Sequence, residues 1–177
     1  MKIGVMIGGS TTDEVIEKAI DIEQRGFDTL WMGNLAGYRL ETLHAMGLIA
    51  RETERIRLGT AIIPIHLHHP VALAHQAVSI QETANGRFTL GIGLSHPVVV
   101  NDWLGLSYDR PITQIREYLS ILSPLLNGEA ASLQGEFFSA NAKLNGPGAA
   151  RVPLRVAARG SQMLKVTGAL ADGTVTF

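Results

Sequence analysis

The side chains most suited to chemistry in this sequence are histidines: His66, His68 and His69 follow one apolar run, His75 comes soon after, and His96 follows the next apolar run. An H-x-H pair at the end of a strand puts two imidazoles on one face, which is a metal-ligand pattern. A metal centre of that kind takes further ligands from later segments. No histidine follows His96, and the late acidic residue Asp172 precedes a strand-like run instead of following one. The reading is therefore no metal site, with His66, His68 and His69 lining a cleft or capping the helix that Pro70 opens. A second candidate is Arg159-Gly160-Ser161-Gln162, between a strand-like and a helical segment. Free N–H groups of a helix start, a hydroxyl and a fixed positive charge make a phosphate seat. The same residues also read as an ordinary serine N-cap beside a surface arginine, and both readings stand. Gly91-Ile92-Gly93 fails as a dinucleotide fingerprint, because the third glycine is missing and Pro97 interrupts the helix that should follow. These glycines instead let backbone approach a flat ligand at a strand end. Trp31, Met32, Trp103 and Tyr108 have the shape to wall a ring, although core packing is the default for each. Asn34, Glu41 and Asp102 fall within reach of a strand-end cleft but show no paired-carboxylate spacing.

These groups need elements to hold them. Lys2 to Ile7 is apolar on both alternate faces, as in a strand buried on both sides. Thr11 and Glu14 have capping-box spacing, an apolar stripe of Val15, Ile16, Ala19, Ile20 and Ile22 follows, and Gly26 suits a C-cap. Further strands are predicted at 29–32, 56–65, 88–93, 153–158 and 173–177, and further helices at 43–52, 70–84, 112–126 and 161–171. Strict alternation of strand and helix predicts a parallel α/β sheet of about six strands. Periodicity does not separate an open doubly wound sheet from a closed barrel. Asn127 to Arg151 breaks the rhythm, and two short β-prone runs around Gly135 read as an inserted hairpin.

Composition narrows the function. The chain of 177 residues has room for a single domain, residues 1–177, and 46% hydrophobic residues supply a core. Charged residues make up 18%, below the roughly 25% of average domains, which argues against disorder. A net charge of −1 gives no general attraction to nucleic acid or anionic lipid. The absence of cysteine excludes disulfides, thiolate nucleophiles and cysteine-bound zinc, and fits a reducing cytoplasm. No segment approaches the ~18 apolar residues of a membrane helix, so the expectation is a cytoplasmic protein.

The segments GFDTLW, IRLGTAIIPIHLHHPVALAHQA, GRFTLGIG and ADGTVTF, in that order, resemble the luciferase-like monooxygenase superfamily. Within it, GIGLSH followed by LGLSYDRP is similar to the oxidoreductases that use the deazaflavin coenzyme F-420. The resemblance runs from Met1 to Phe177 and implies a (β/α)8 TIM barrel present as about its first six β/α units, truncated at the C-terminus. It implies hydride transfer between the deazaflavin and a small organic substrate. The alternatives are an FMN-dependent monooxygenase of the same fold or an inactive barrel fragment. By the resemblance, Gly59, Thr60, Ala61 and Ile62 back the coenzyme ring, with a cis peptide at Ala61–Ile62. Gly93 and Ser95 lie near the reacting carbon, and His96 is the candidate catalytic residue, since imidazole titrates near neutral pH. Arg159, Gly160, Ser161 and Gln162 receive the phosphate of the coenzyme tail. Gly33-Asn34-Leu35 stands where sugar-phosphate and alcohol dehydrogenases of the family carry Asp-His, which argues against those substrates. The expected partner is a small molecule, with no nucleic acid or membrane and with room for a homodimer.

Overall fold

The computed structural model describes residues 2–34, 40–145 and 151–176. Leu35, the Gly-Pro-Gly tail of the excursion and Phe177 lie outside the described residues. The elements run β1 (Gly4–Ile7), α1 (Thr12–Gln24), β2 (Thr29–Met32), α2 (Thr42–Glu52), β3 (Arg57–Thr60), β4 (Ile63–Pro64), α3 (Pro70–Thr83) and β5 (Phe88–Gly93). They continue with α4 (Pro111–Leu126), the antiparallel hairpin β6 (Ala131–Gln134) and β7 (Ser139–Ala142), β8 (Leu154–Ala157), α5 (Ser161–Leu170) and β9 (Gly173–Val175). The main sheet is parallel throughout, in the order β1-β2-β3-β5-β8-β9, with β4 also paired to β5. Strand order follows chain order, as in a barrel wall and unlike a doubly wound sheet, whose order reverses.

Side-chain alternation divides the sheet into two faces. Leu30, Leu58, Phe88, Leu90, Ile92, Leu154 and Val156 point to the helical layer and are buried. On α3, Leu73, Ala74, Ala77 and Ile80 are buried, and on α4, Ile115, Leu119, Leu122 and Leu126 are, as the predicted stripe requires. The other face carries Gly4, Met6, Trp31, Gly59 and Arg155; β1 there differs from the expectation of a strand buried on both sides. Its residues are exposed or half-buried, with Met6 59% exposed, because β1 is an edge strand and its inward side chain meets no facing layer.

Local signals act as their chemistry dictates. Thr11 Oγ1 accepts from Glu14 N at 3.2 Å, while Glu14 Oε2 accepts from Ser10 N at 2.8 Å. At the other end of α1, Gly26 adopts φ +81°, and Gly26 N and Phe27 N donate to Glu23 O and Ile22 O, closing the helix in a Schellman motif. The predicted strand 56–65 is broken in two at Ala61–Ile62, and the loop after β5 folds into a π-helical turn at Val99–Trp103 that periodicity did not reveal.

Two polar hubs bind the amino-terminal end of the sheet. Arg87 donates to Ala50 O, Thr53 O, Thr53 Oγ1 and Ile56 O and so closes the carboxyl end of α2. The Glu23 carboxylate accepts from Glu54 N at 3.0 Å, Arg55 N at 2.7 Å and Ile56 N at 2.9 Å. Burial opposes ionisation there, but the three N–H groups outweigh it and hold the carboxyl below its ordinary value. Its stabilising contribution is complete above that ordinary value and fades as pH falls through the lowered folded one. Glu23→Ala is expected to cost about 1–2 kcal/mol in urea unfolding at pH 7. The difference from the parent protein should shrink below pH 4.5, the ordinary carboxyl value.

Candidate active site

The carboxyl ends of all the parallel strands share one end of the sheet, where β/α barrels place their sites. The corner between β3 and β4 is its central feature. The Ala61–Ile62 peptide is cis, Ala61 N donates to Met32 O at 2.8 Å, and Asn34 N donates to Ile62 O at 3.1 Å. Thr60 is fully buried; its Oγ1 donates to Gly91 O and accepts from Gly91 N, both at 2.8 Å. Its side chain is thus a tie between strands, turned away from the mouth. A Cβ on Gly91 would lie 2.0 Å from Thr60 O, and one on Gly33 2.8 Å from Ala61 O. A Cβ on Gly93 would meet Ala157 Cβ at 3.0 Å and Ile62 Cδ1 at 3.1 Å. Pro64, the last residue of β4, pairs with Gly93 as well, so three strand ends, those of β4, β5 and β8, meet at Gly93.

Beyond β5, Ser95 adopts φ +65° and His96 is exposed. The His96 carbonyl accepts from Val99 N and Val100 N at 3.0 and 3.1 Å and starts the π-helical turn. Trp103 in that turn is 62% exposed, so it has no core duty. Beyond β8, the N-cap of α5 is Gly160, with φ +81° and no side-chain cap. Ser161 is the first helical residue, which corrects the reading of it as the N-cap. The first internal bond of α5 is Leu164 N to Gly160 O at 3.1 Å, so the N–H groups of Ser161, Gln162 and Met163 remain free for a ligand. Arg159, Gly160, Ser161 and Gln162 are all exposed.

The histidines separate in role. His69 Nδ1 accepts from Val71 N at 3.3 Å and caps α3, the cap reading of the sequence. His66 Nε2 lies 2.8 Å from Gln114 Oε1, and its ring stacks on Tyr108 at 6.1 Å between centroids. Burial pushes both His66 and His68 below the ordinary imidazole value. Among the described residues no group of three His, Asp or Glu side chains is placed to hold a metal ion. Sequence reasoning passed over Gln114. It is 3% exposed, and as a polar residue in register with buried Tyr118, Ile121 and Leu125 it carried a signal of its own.

Comparison with known proteins agrees with this geometry. The sequence model of the luciferase-like monooxygenase family matches residues 1–177. The chain belongs to this family. The 5,10-methylenetetrahydromethanopterin reductase of Archaeoglobus fulgidus is 30% identical over 86% of this chain and 46% of its own length. The F-420-dependent glucose-6-phosphate dehydrogenase of Beutenbergia cavernae is 30% identical over 86% of this chain and 49% of its own. Among solved structures, the coenzyme F-420-dependent tetrahydromethanopterin reductase of Methanopyrus kandleri superposes with a TM-score of 0.82 at 22% identity, over 99% of this chain and 55% of that one. The oxygenating constituent of 3,6-diketocamphane monooxygenase from Pseudomonas putida, in complex with FMN, gives 0.79 at 18% identity, over 95% and 55%. The chain thus spans about half the length of the relatives it matches. Its fold is the corresponding part of a luciferase-like β/α barrel.

In this luciferase-like sheet Gly59 is fixed by Trp31. A Cβ on Gly59 would stand 2.2 Å from Trp31 Cζ3, while Trp31 in turn lies under the Arg155 guanidinium, 5.9 Å from the ring centroid. Gly59 thus serves the inner face below the corner, where the absence of a side chain lets Trp31 lie against the strand. Gly59→Ala should displace the indole, cost about 1–3 kcal/mol and shift the Trp31 emission. With Trp31→Leu in the background, which removes the clash, the same substitution should cost less than half as much in urea unfolding.

Proposed function

We propose that the chain carries the coenzyme-binding wall of an oxidoreductase that moves a hydride between the deazaflavin coenzyme F-420 and a small organic substrate. The observation that carries this reading is the meeting, at one end of the sheet, of the bent β3–β4 corner and an uncapped helix start beside the exposed Arg159. Gly91 and Gly93 have no room for a side chain because Thr60 O, Ile62 and Ala157 fill that space, so the strand ends close up directly against the bend proposed to back the ring. The free N–H groups of Ser161, Gln162 and Met163, with Arg159, suit a phosphate. The two curated relatives above act as reductase and F-420-dependent dehydrogenase by name, which supports the class of reaction.

The coenzyme supplies the carbon that gives or takes the hydride. The chain's own residues do the rest. The Ala61–Ile62 corner and Gly93-Leu94-Ser95 position the ring, and Arg159 to Gln162 anchor the tail. His96, exposed at the mouth, holds or accepts the proton that accompanies hydride transfer. Asn34, half-buried after β2, offers no carboxylate, so a sugar phosphate is not the proposed substrate. A phosphate seat serves a phosphate monoester as well as a diester, which favours FMN, in a monooxygenase, as the second reading. We read the protein as cytoplasmic, with room for a homodimer.

Titration of the chain with F-420 and with FMN, followed by coenzyme fluorescence, tests the proposal. F-420 is expected to bind at least tenfold more tightly, and Arg159→Ala to weaken it about tenfold, the loss of one charge-assisted contact. Preference for FMN would shift the assignment to the second reading, and binding of neither would remove both. In the intact protein, His96→Ala should retain coenzyme affinity and lose about 10²–10⁴-fold in turnover; full turnover would take the proton role away from His96.

A further inference from the structure

The excursion between β5 and α4 carries His96 and Trp103 and is internally bonded. Leu104 N and Leu106 N donate to Val99 O and Val100 O, and Tyr108 N donates to Asn101 Oδ1 at 3.1 Å. It therefore behaves as a unit whose placement depends on what ties it to the neighbouring strand end. Gln114 supplies that tie. Its Nε2 donates to Ser107 O at 3.2 Å and to Asp109 O at 2.6 Å. Carbonyl oxygens only accept, so the amide orientation is fixed and Oε1 faces the His66 ring. His66 Nε2 must then carry the hydrogen and donate across 2.8 Å. The ring also stacks on Tyr108 at an interplanar angle of 29°, and its buried Nδ1 has no hydrogen-bond partner among the described residues. Burial favours the neutral ring, in which Nε2 still carries the donated hydrogen. All three hydrogen-bonding positions of Gln114 that face protein are in use, at a site 3% exposed.

We propose that Gln114 and His66 are positioning residues: together they lock the β5–α4 excursion to the end of β4 and so set Leu94-Ser95-His96 where the coenzyme ring binds. The consequence for the site rests on the coenzyme reading above, whereas the clamp itself rests on the geometry alone. Neither residue touches the proposed ligand. The two functions of Gln114 are separable by chemistry. In Gln114→Glu a carboxylate still accepts from His66 but cannot donate to Ser107 O and Asp109 O, so half of the clamp survives. In Gln114→Leu, close in size, both halves are lost.

Amide hydrogen exchange of the chain, alone and with F-420, tests this, with the thermal midpoint as a control for global stability. Gln114→Leu is expected to speed exchange at least tenfold in both 94–96 and 104–110, leave β1–β3 at parental rates, and weaken F-420 about tenfold. Gln114→Glu is expected to loosen 104–110 alone and keep more than half of the parental affinity, a rescue that a purely structural role for the side chain would not give. Parental exchange in Gln114→Leu overturns the proposal, and so does loosening of 94–96 in that same variant with F-420 affinity within twofold of the parent. If the parent chain binds no F-420, the functional reading fails separately. The clamp then stands if Gln114→Leu loosens 94–96 and Gln114→Glu does not, and falls if both variants match the parent there.

Discussion

The contact on which the mouth of this sheet depends is the close approach of Thr60 to Gly91. With a Cβ at Gly91 placed 2.0 Å from Thr60 O, no side chain other than hydrogen fits, and the Thr60 hydroxyl fills both backbone valences of Gly91 at that point. This is where β5 changes partner. Its first residues pair with β3, Phe88 with Leu58 and Thr89 with Gly59, and its last pair with β4, Ile92 with Ile63 and Gly93 with Pro64. A side chain satisfies the ladder where the strand itself turns away, so Gly91 N and O keep their partners through the turn. The corner at Ala61–Ile62, the contact of three strand ends at Gly93 and the direction in which the β5–α4 excursion leaves all follow from that handover.

Much of this was legible in the amino-acid sequence because burial imposes period. Alternating strands and helices, the parallel sheet, the inserted hairpin and the capping signals of α1 all appear where the apolar stripes and turn residues put them. The break in the third strand was hidden for a physical reason. Leu58, Ile63 and Ile65 are all fully buried, so the apolar run continues across the corner and carries no mark of a bend. The exposure of β1 was hidden for the opposite reason: Ile3 and Met6 have core-like composition but stand at a sheet edge. Ser161 shows how local chemistry misleads, since a serine at a helix start suggests a cap, whereas Gly160 with φ +81° takes that position and leaves the helix donors open.

For the site, proximity in the fold did what spacing along the chain could not. Positions 59–62, 93–96 and 159–162 look unrelated until the parallel register brings the ends of adjacent strands together. The amide of Gln114 was obscured by its helix, where glutamine ordinarily faces solvent. Gln81 is a parallel case: it is 1% exposed, accepting from Phe88 N and donating to Arg151 O, so that one amide ties α3 to two other segments. A polar residue in phase with an apolar stripe is the common mark of both. Buried amides of this kind fix geometry because each unmade bond leaves a desolvated group without a partner.

The division of labour between the two faces also decides how the site can be probed. Stability resides in the outer layer, where Leu30, Leu58, Leu90 and Val156 meet the helices, and in the Glu23 and Arg87 hubs at the amino-terminal end. His96 and Arg159 stand exposed at the opposite end, and neither side chain belongs to that core. Removing either side chain leaves no cavity and no orphaned buried partner, so a loss of binding or turnover there reports chemistry at the mouth. Thr60, Gly91 and Gly93 are the reverse: the corner is shaped by the same atoms that close the sheet, and changes there alter fold and site together. The informative substitutions are consequently those just outside the corner, where side chains point at the mouth while the backbone beneath them is held by others.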